Sequence, residues 1–111
     1  MKHNDVYLKH ILDEVLFLLK TAKDLDYESF VENEMYTRAF SRSFEIIGEA
    51  AKNLSPDFRK KHDKIEWKKI SGMRDKIIHH YFNVDYELLW DVVQNKLPQL
   101  RDEIEMIITQ Q

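Results

Sequence analysis

The sequence predicts an all-α fold, a small bundle of four or five helices, and three observations predict it. Apolar residues recur over most of the chain at a spacing near 3.6, the period of one helix face. Only two glycines and two prolines occur in 111 residues, too few for the tight turns of a β-rich fold. Apolar residues make up 43% and charged residues 33%, enough for both a core and a solvated surface. A chain of this length is expected to form one domain, residues 1–111.

Residues 5–22, DVYLKHILDEVLFLLKTA, predict the first helix. Leu8, Ile11, Leu12, Val15, Leu18, Leu19 and Ala22 share one broad stripe, and Asp5 is placed to cap its start. KDLDYESF, residues 23–30, reads as a turn or a short helix. Residues 34–54 predict a second long helix, with Tyr36, Phe40, Phe44, Ile47, Ala51 and Leu54 on its apolar face. Arg38, Arg42, Glu45 and Glu49 run along its other side at spacings of four, three and four. Such a ladder forms either exposed ion pairs or a polar seam that faces a cleft or partner.

Ser55-Pro56 ends this helix and suits the start of a short one, before the basic connector DFRKKHDK. EWKKI, residues 66–70, supplies one helical turn ahead of a bend at Ser71-Gly72. A third helix is expected from Met73 to His79 or His80, and a fourth over YELLWDVVQNKL, capped by Asp85. Pro98 must end or kink that helix. The apolar stripe resumes at Leu100, Ile104, Ile107 and Ile108, so one long kinked helix is expected.

Composition excludes several chemistries. With no cysteine, disulfides, thiolate metal sites and cysteine nucleophiles are impossible. The five histidines, at 3, 10, 62, 79 and 80, show no HxxxH or HExxH spacing, so neither a metal nor a cofactor is expected. Phosphate-cradling glycine loops and nucleophile elbows are absent. The N-terminal stretch lacks an apolar h-region and the longest later apolar run, VLFLL, has five residues. No signal peptide or membrane span is therefore expected, and a cytoplasmic location is the default. The net charge of −3 is unevenly spread: residues 52–80 carry nine basic and four acidic groups, while both flanks are acidic. An anionic ligand at the middle segment is electrostatically reasonable, as is a merely solvated basic face.

RDKIIHHY, residues 74–81, concentrates the polar chemistry in that segment. On a helix Arg74 shares a side with Met73, Ile77 and Tyr81, and an arginine within an apolar stripe is costly unless paired or facing a polar cavity. Conflicts of this kind cluster at functional sites. Asp75 and His79, four residues apart, can hydrogen-bond so that the carboxylate orients the imidazole. Arg74 and His79 stand about 140° apart on an ideal helix. They converge only if the helix ends near His79, if the arginine reaches round, or if two subunits contribute. The chemistry these groups suit is phosphodiester transesterification: a guanidinium to clamp phosphate and an imidazole to move a proton. Tyr81 can bind phosphate, stack on a base or pack in the core. His80, with no partner at helical spacing, reads as a surface or packed residue. The structural alternative is that all of them decorate a packed helix.

The spacing Arg-x4-His-x-Tyr resembles the signature of the HEPN superfamily, in particular its HepT-like toxin branch. RSFEIIGEAAKNLS (42–55), WKKISGMRDKIIHHYFNVDYELLWDVV (67–93) and LPQL (97–100) follow that branch in order and spacing. The resemblance implies a helical bundle that forms a homodimer, with two copies of the motif in one cleft. It implies the toxin of a type VII-like toxin–antitoxin pair, a metal-independent endoribonuclease that uses the RNA 2′-hydroxyl as nucleophile. Arg74 would then bind or polarise the phosphate, His79 would be the general acid/base and Asp75 would support them. The implied partner is an MNT-type nucleotidyltransferase antitoxin that transfers AMP to Tyr81. Alternatives are a non-catalytic helical subunit that holds a nucleotidyltransferase and a nucleotide-binding regulator using the same basic cleft.

Overall fold

A computed structural model describes residues 2–110, and within them the all-α expectation holds. In chain order the elements are α1 (Lys2–Ala22), α2 (Tyr27–Glu32), α3 (Glu34–Asn53), α4 (Pro56–Lys61), α5 (Trp67–Ile77), β1 (Ile78–His80), β2 (Asn83–Val84), α6 (Tyr86–Asn95) and α7 (Leu97–Thr109). Helices α1, α3 and α5 lie side by side, and α7 packs on α1. The described residues hold seven helices, more than the expected four or five, because a short helix forms in each of the two connecting stretches and the long C-terminal helix is divided in two.

Each added helix is short and held by its cap. Asp26 opens α2 by accepting from the Ser29 N–H at 2.8 Å, and Ser55 opens α4 by accepting from the Phe58 N–H at 3.2 Å. That hydrogen bond draws the Asp26 carboxyl below its ordinary range. Helix α2 also delivers Phe30, fully buried and ringed by Phe40 at 4.8 Å, Trp90 at 5.2 Å and Tyr86 at 6.0 Å. Six residues are too few for an apolar period to show in the sequence. Helix α1 starts earlier than expected, so Asp5 is not its cap but lies in its first turn, where the helix dipole still favours a carboxylate. The side chain of Asn4 is buried and ties this end down, donating to Ser55 Oγ at 3.0 Å and accepting from the Ser55 N–H at 2.9 Å.

The apolar stripes read from the sequence converge on one core. Leu8, Ile11, Val15 and Leu18 of α1 meet Phe40, Phe44 and Ile47 of α3, with Leu89, Val93, Leu97 and Ile104 from the C-terminal helices. Each such side chain stabilises the fold by about 1.5–3 kcal/mol through burial. The one long kinked helix expected over the C-terminal part is instead two helices: Lys96 alone separates α6 from α7, and Pro98 stands in the first turn of α7, where its missing N–H costs nothing.

Two expectations about the central segment fail. No bend forms at Ser71-Gly72, which α5 traverses without interruption. Instead the helix stops at Ile77, before the histidines, and the chain turns into a hairpin. β-Branched and aromatic residues crowd this stretch and favour extended backbone. The Asp85 N–H closes it by donating to the Ile77 carbonyl at 2.7 Å.

Candidate active site

Arg74 occupies the last turn of α5 and faces α3 across a groove of about 410 Å³. Gly48 permits the approach: a Cβ there would lie 3.2 Å from Arg74 Cβ and 3.4 Å from the Ser71 carbonyl oxygen. The bare backbone of Gly48 therefore accepts the aliphatic stem of Arg74, and this resolves the conflict of an arginine in an apolar stripe. The stem packs while the guanidinium stays in the polar groove. Its Nη1 donates to Asp75 Oδ1 at 3.3 Å, and Nη2 stands 4.0 Å from Glu45 Oε2. With Arg74 and Glu45 side chains 39% and 41% exposed, these contacts are loose and of low energy. A phosphate, which offers two oxygens to the planar fork, competes well against such partners.

The hairpin that follows carries the rest of the motif. Ile78 pairs with Val84 and His80 with Asn83, so β1 holds one more residue than β2 opposite it. The extra residue is His79, at a bulge, and its side chain is exposed. Tyr81 and Phe82 form the turn, 93% and 73% exposed. Ile78 anchors the base of the hairpin, being buried in the core.

Several predicted placements are thus corrected. Asp75 does not orient His79: the helix ends between them, and its carboxylate accepts from Arg74 instead. The 140° separation of Arg74 and His79 on a common helix no longer applies, because His79 is on a strand. Tyr81 has no place on the apolar face of a helix. The ladder on α3 divides: Arg42, Glu45 and Glu49 line the groove beside Arg74, whereas Arg38 pairs with Glu34 one turn back, Nε to Oε1 at 2.8 Å. The basic residues of 52–80 do not form one cleft either. Lys52 joins Arg42 and Arg74 in the first groove, where Glu45, Glu49 and Asp75 balance them. Lys64, Lys69 and Lys76 instead border a second, apolar-floored groove of about 440 Å³ among α5, α6 and α7.

Sequence reasoning missed Gly48 and Ser71 as residues that shape the Arg74 groove. A signal was available for Gly48, since an interior helical glycine costs about 1 kcal/mol relative to alanine and calls for a packing reason. Among the described residues, no group of three or more histidines, aspartates or glutamates is arranged to hold a metal ion. No described helix is long and apolar enough to cross a membrane.

Comparison with known proteins places this arrangement. The family described as Ribonuclease HepT-like matches residues 11–107, a span that takes in both the Arg74 groove and the hairpin. The chain belongs to the HepT-like ribonuclease family. A protein of Caldanaerobacter subterraneus named "Putative RNase TTE0752" is 48% identical over 108 residues, covering 97% of this chain and 96% of that one. "Putative RNase MJ1380" of Methanocaldococcus jannaschii is 38% identical, covering 96% of this chain and 100% of the relative. "Probable ribonuclease HepT" of Thermococcus cleftensis is 36% identical over 95% and 94% of the two chains. Among solved structures none matches. In this HepT-like chain, then, the Arg-x4-His-x-Tyr residues run from a helix end across a bulge to a hairpin turn.

Proposed function

We propose that the chain is the toxin of a type VII-like toxin–antitoxin pair, an endoribonuclease acting without a metal ion. The observation that carries this reading is the contrast within one motif: a loosely paired guanidinium at the end of α5, then an exposed histidine at a bulge. The RNA 2′-hydroxyl loses its proton to an imidazole and attacks the adjacent phosphorus. The P–O5′ bond breaks, the departing oxygen takes up a proton, and the ends are a 2′,3′-cyclic phosphate and a 5′-hydroxyl. His79 is the proton-transfer group, a role that contributes about 10²–10⁴-fold. Arg74 binds the phosphate and stabilises its added charge, a contribution of about 10²–10³-fold for one such donor.

Removal and return of the proton occur on opposite sides of the phosphorus, and each chain offers one motif histidine. A homodimer that brings the two motifs to one cleft, in contact elsewhere than at the hairpin tips, supplies both. The partner we infer is an MNT-type nucleotidyltransferase that silences the site by AMPylation. The Tyr81 phenol oxygen attacks the α-phosphorus of ATP, pyrophosphate leaves, and the phenol proton passes to solvent. The near-complete exposure of Tyr81 supports this. The bulky anionic group would stand two residues from His79 and repel the RNA backbone.

Two measurements test the reading. Purified unmodified protein should cleave RNA in EDTA, and Arg74→Ala and His79→Ala should not; equal cleavage by all three removes the site assignment. Intact mass after incubation with the nucleotidyltransferase and ATP should rise by AMP units, and the rise should vanish in Tyr81→Phe. A protein that captures the nucleotidyltransferase yet never turns over RNA would establish the alternative, a non-catalytic helical subunit.

A further inference from the structure

The hairpin turn holds more aromatic surface than tyrosine modification requires. The His80 and Phe82 rings lie parallel, 8° apart in plane with centroids separated by 5.3 Å. Tyr81 meets Phe82 at 83° and 5.1 Å. Phe82 is 73% exposed, so it forgoes most of the stabilisation that burial gives a phenyl group. Its ring meets the neighbouring rings of His80 and Tyr81, while the hairpin is anchored at its opposite end by buried Ile78 and half-buried Val84.

We propose that Phe82, backed by the His80 ring, is a stacking platform for one unpaired nucleobase of the RNA, held beside His79. This rests on the ribonuclease reading and adds to it a binding residue outside the motif, one that accepts only an unpaired base. Two rings already parallel form a stack that a third aromatic plane extends, and every nucleobase presents such a plane. In a duplex those faces are covered by neighbouring pairs, so only an unpaired base can reach the tip. Phe82 is three residues from His79, and a base stacked there brings its own backbone phosphate toward the imidazole. The chemistry favours a base over a protein surface as the occupant. The rings of His80, Tyr81 and Phe82 by themselves fall far short of the roughly 800 Å² per partner that a stable protein interface buries.

The test is equilibrium binding of a fluorescein-labelled single strand of ten 2′-O-methyl nucleotides to the full chain, read by anisotropy; the methyl groups remove the nucleophile, so no cleavage intervenes. Phe82→Ala should raise Kd about 5- to 150-fold, the range for loss of one stacked base. Phe82→Trp should bind as tightly as wild type or more so. Phe82→Leu, which keeps apolar area without a π-face, should be as weak as alanine. The same sequence annealed into a duplex should not distinguish wild type from Phe82→Ala. The proposal is overturned by unchanged binding in Phe82→Ala, by wild-type affinity in Phe82→Leu, or by an equal loss toward the duplex. Light scattering adds an independent check: a drop in mass on Phe82→Ala would mean that the ring covers a second copy of the chain. The two readings separate cleanly. Phe82-dependent binding with no cleavage of natural RNA keeps the platform and removes the nuclease, while cleavage with Phe82-independent binding does the reverse.

Discussion

Arg74 and His79 are five residues apart yet occupy opposite physical surroundings. Arg74 is built into the helical scaffold: its stem packs over Gly48, and its position depends on how closely α3 and α5 approach. His79 stands on a bulged strand of a two-stranded hairpin whose turn is solvent-exposed. Under the function proposed above, the difference is a division of labour. A phosphate-binding cation gains from a rigid mount, because misplacement by about 1 Å is enough to lose much of its effect. A proton carrier, and a tyrosine that another enzyme must reach, need access instead. The groove thus belongs to the stability of the bundle, and the tip is free to vary without touching it.

The comparison breaks most visibly in activity. Arg74→Ala and His79→Ala should each lower RNA cleavage by 100-fold or more, measured as single-turnover rates. Their melting temperatures should part company: His79→Ala melts with wild type, and Arg74→Ala melts lower because packed methylenes are lost. Equal destabilisation by the two would show that the tip is not independent of the bundle.

Next in size is Gly48→Val. Its branched side chain must push α5 away from α3, and we expect a loss of about 1–3 kcal/mol in urea unfolding, with weaker RNA cleavage as Arg74 moves. Wild-type stability in this variant would refute the close-approach role of Gly48. At the tip, Tyr81→Phe should change unfolding free energy by less than about 0.5 kcal/mol while abolishing AMP addition, since its hydroxyl is in solvent.

A smaller, pH-dependent effect sharpens the comparison from a third place. His62, at the end of α4, packs its ring on Phe58 at 4.6 Å, and its Nε2 is buried without a partner. Burial, with Lys61 adding to it, lowers the pKa of His62 below 6.5. The folded state therefore resists protonation more than the unfolded one does. Stability is full above about pH 6.5 and falls as pH drops toward the lowered folded value. His62→Phe should flatten this acid loss in thermal melts and leave the pH profile of cleavage in place, because His62 belongs to the scaffold. A shifted cleavage profile would link the scaffold to the tip.

Legibility in the sequence followed the length of each element. Helices α1, α3, α6 and α7 present several turns of an apolar stripe, and periodicity located their residues but joined α6 and α7 into one kinked helix, where the chain breaks at Lys96. Helix α2 and the hairpin are too short for any period to register, so the sequence leaves residues 23–30 between a turn and a short helix, gives no sign that Phe30 is core, and extends the helix to His79. The same limit governed the site. Residue types and the Arg-x4-His-x-Tyr spacing identified Arg74, His79 and Tyr81 as one group, but not how they are displayed.

What the sequence determined by itself was the all-α class, the apolar stripes of the long helices, the exclusion of cysteine chemistry and the family motif, all properties of residue identity and spacing. Only the tertiary structure decided that α5 ends at Ile77, that Asp75 pairs with Arg74 and not His79, and that Gly48 lets an arginine pack without being buried. The physical reason is that these depend on contacts between segments distant in the chain. The Arg74 stem needs α3, twenty-six residues away, to lie against it. The helix stops where buried Ile77 and Ile78 join the core, and the hairpin takes over the backbone hydrogen bonding.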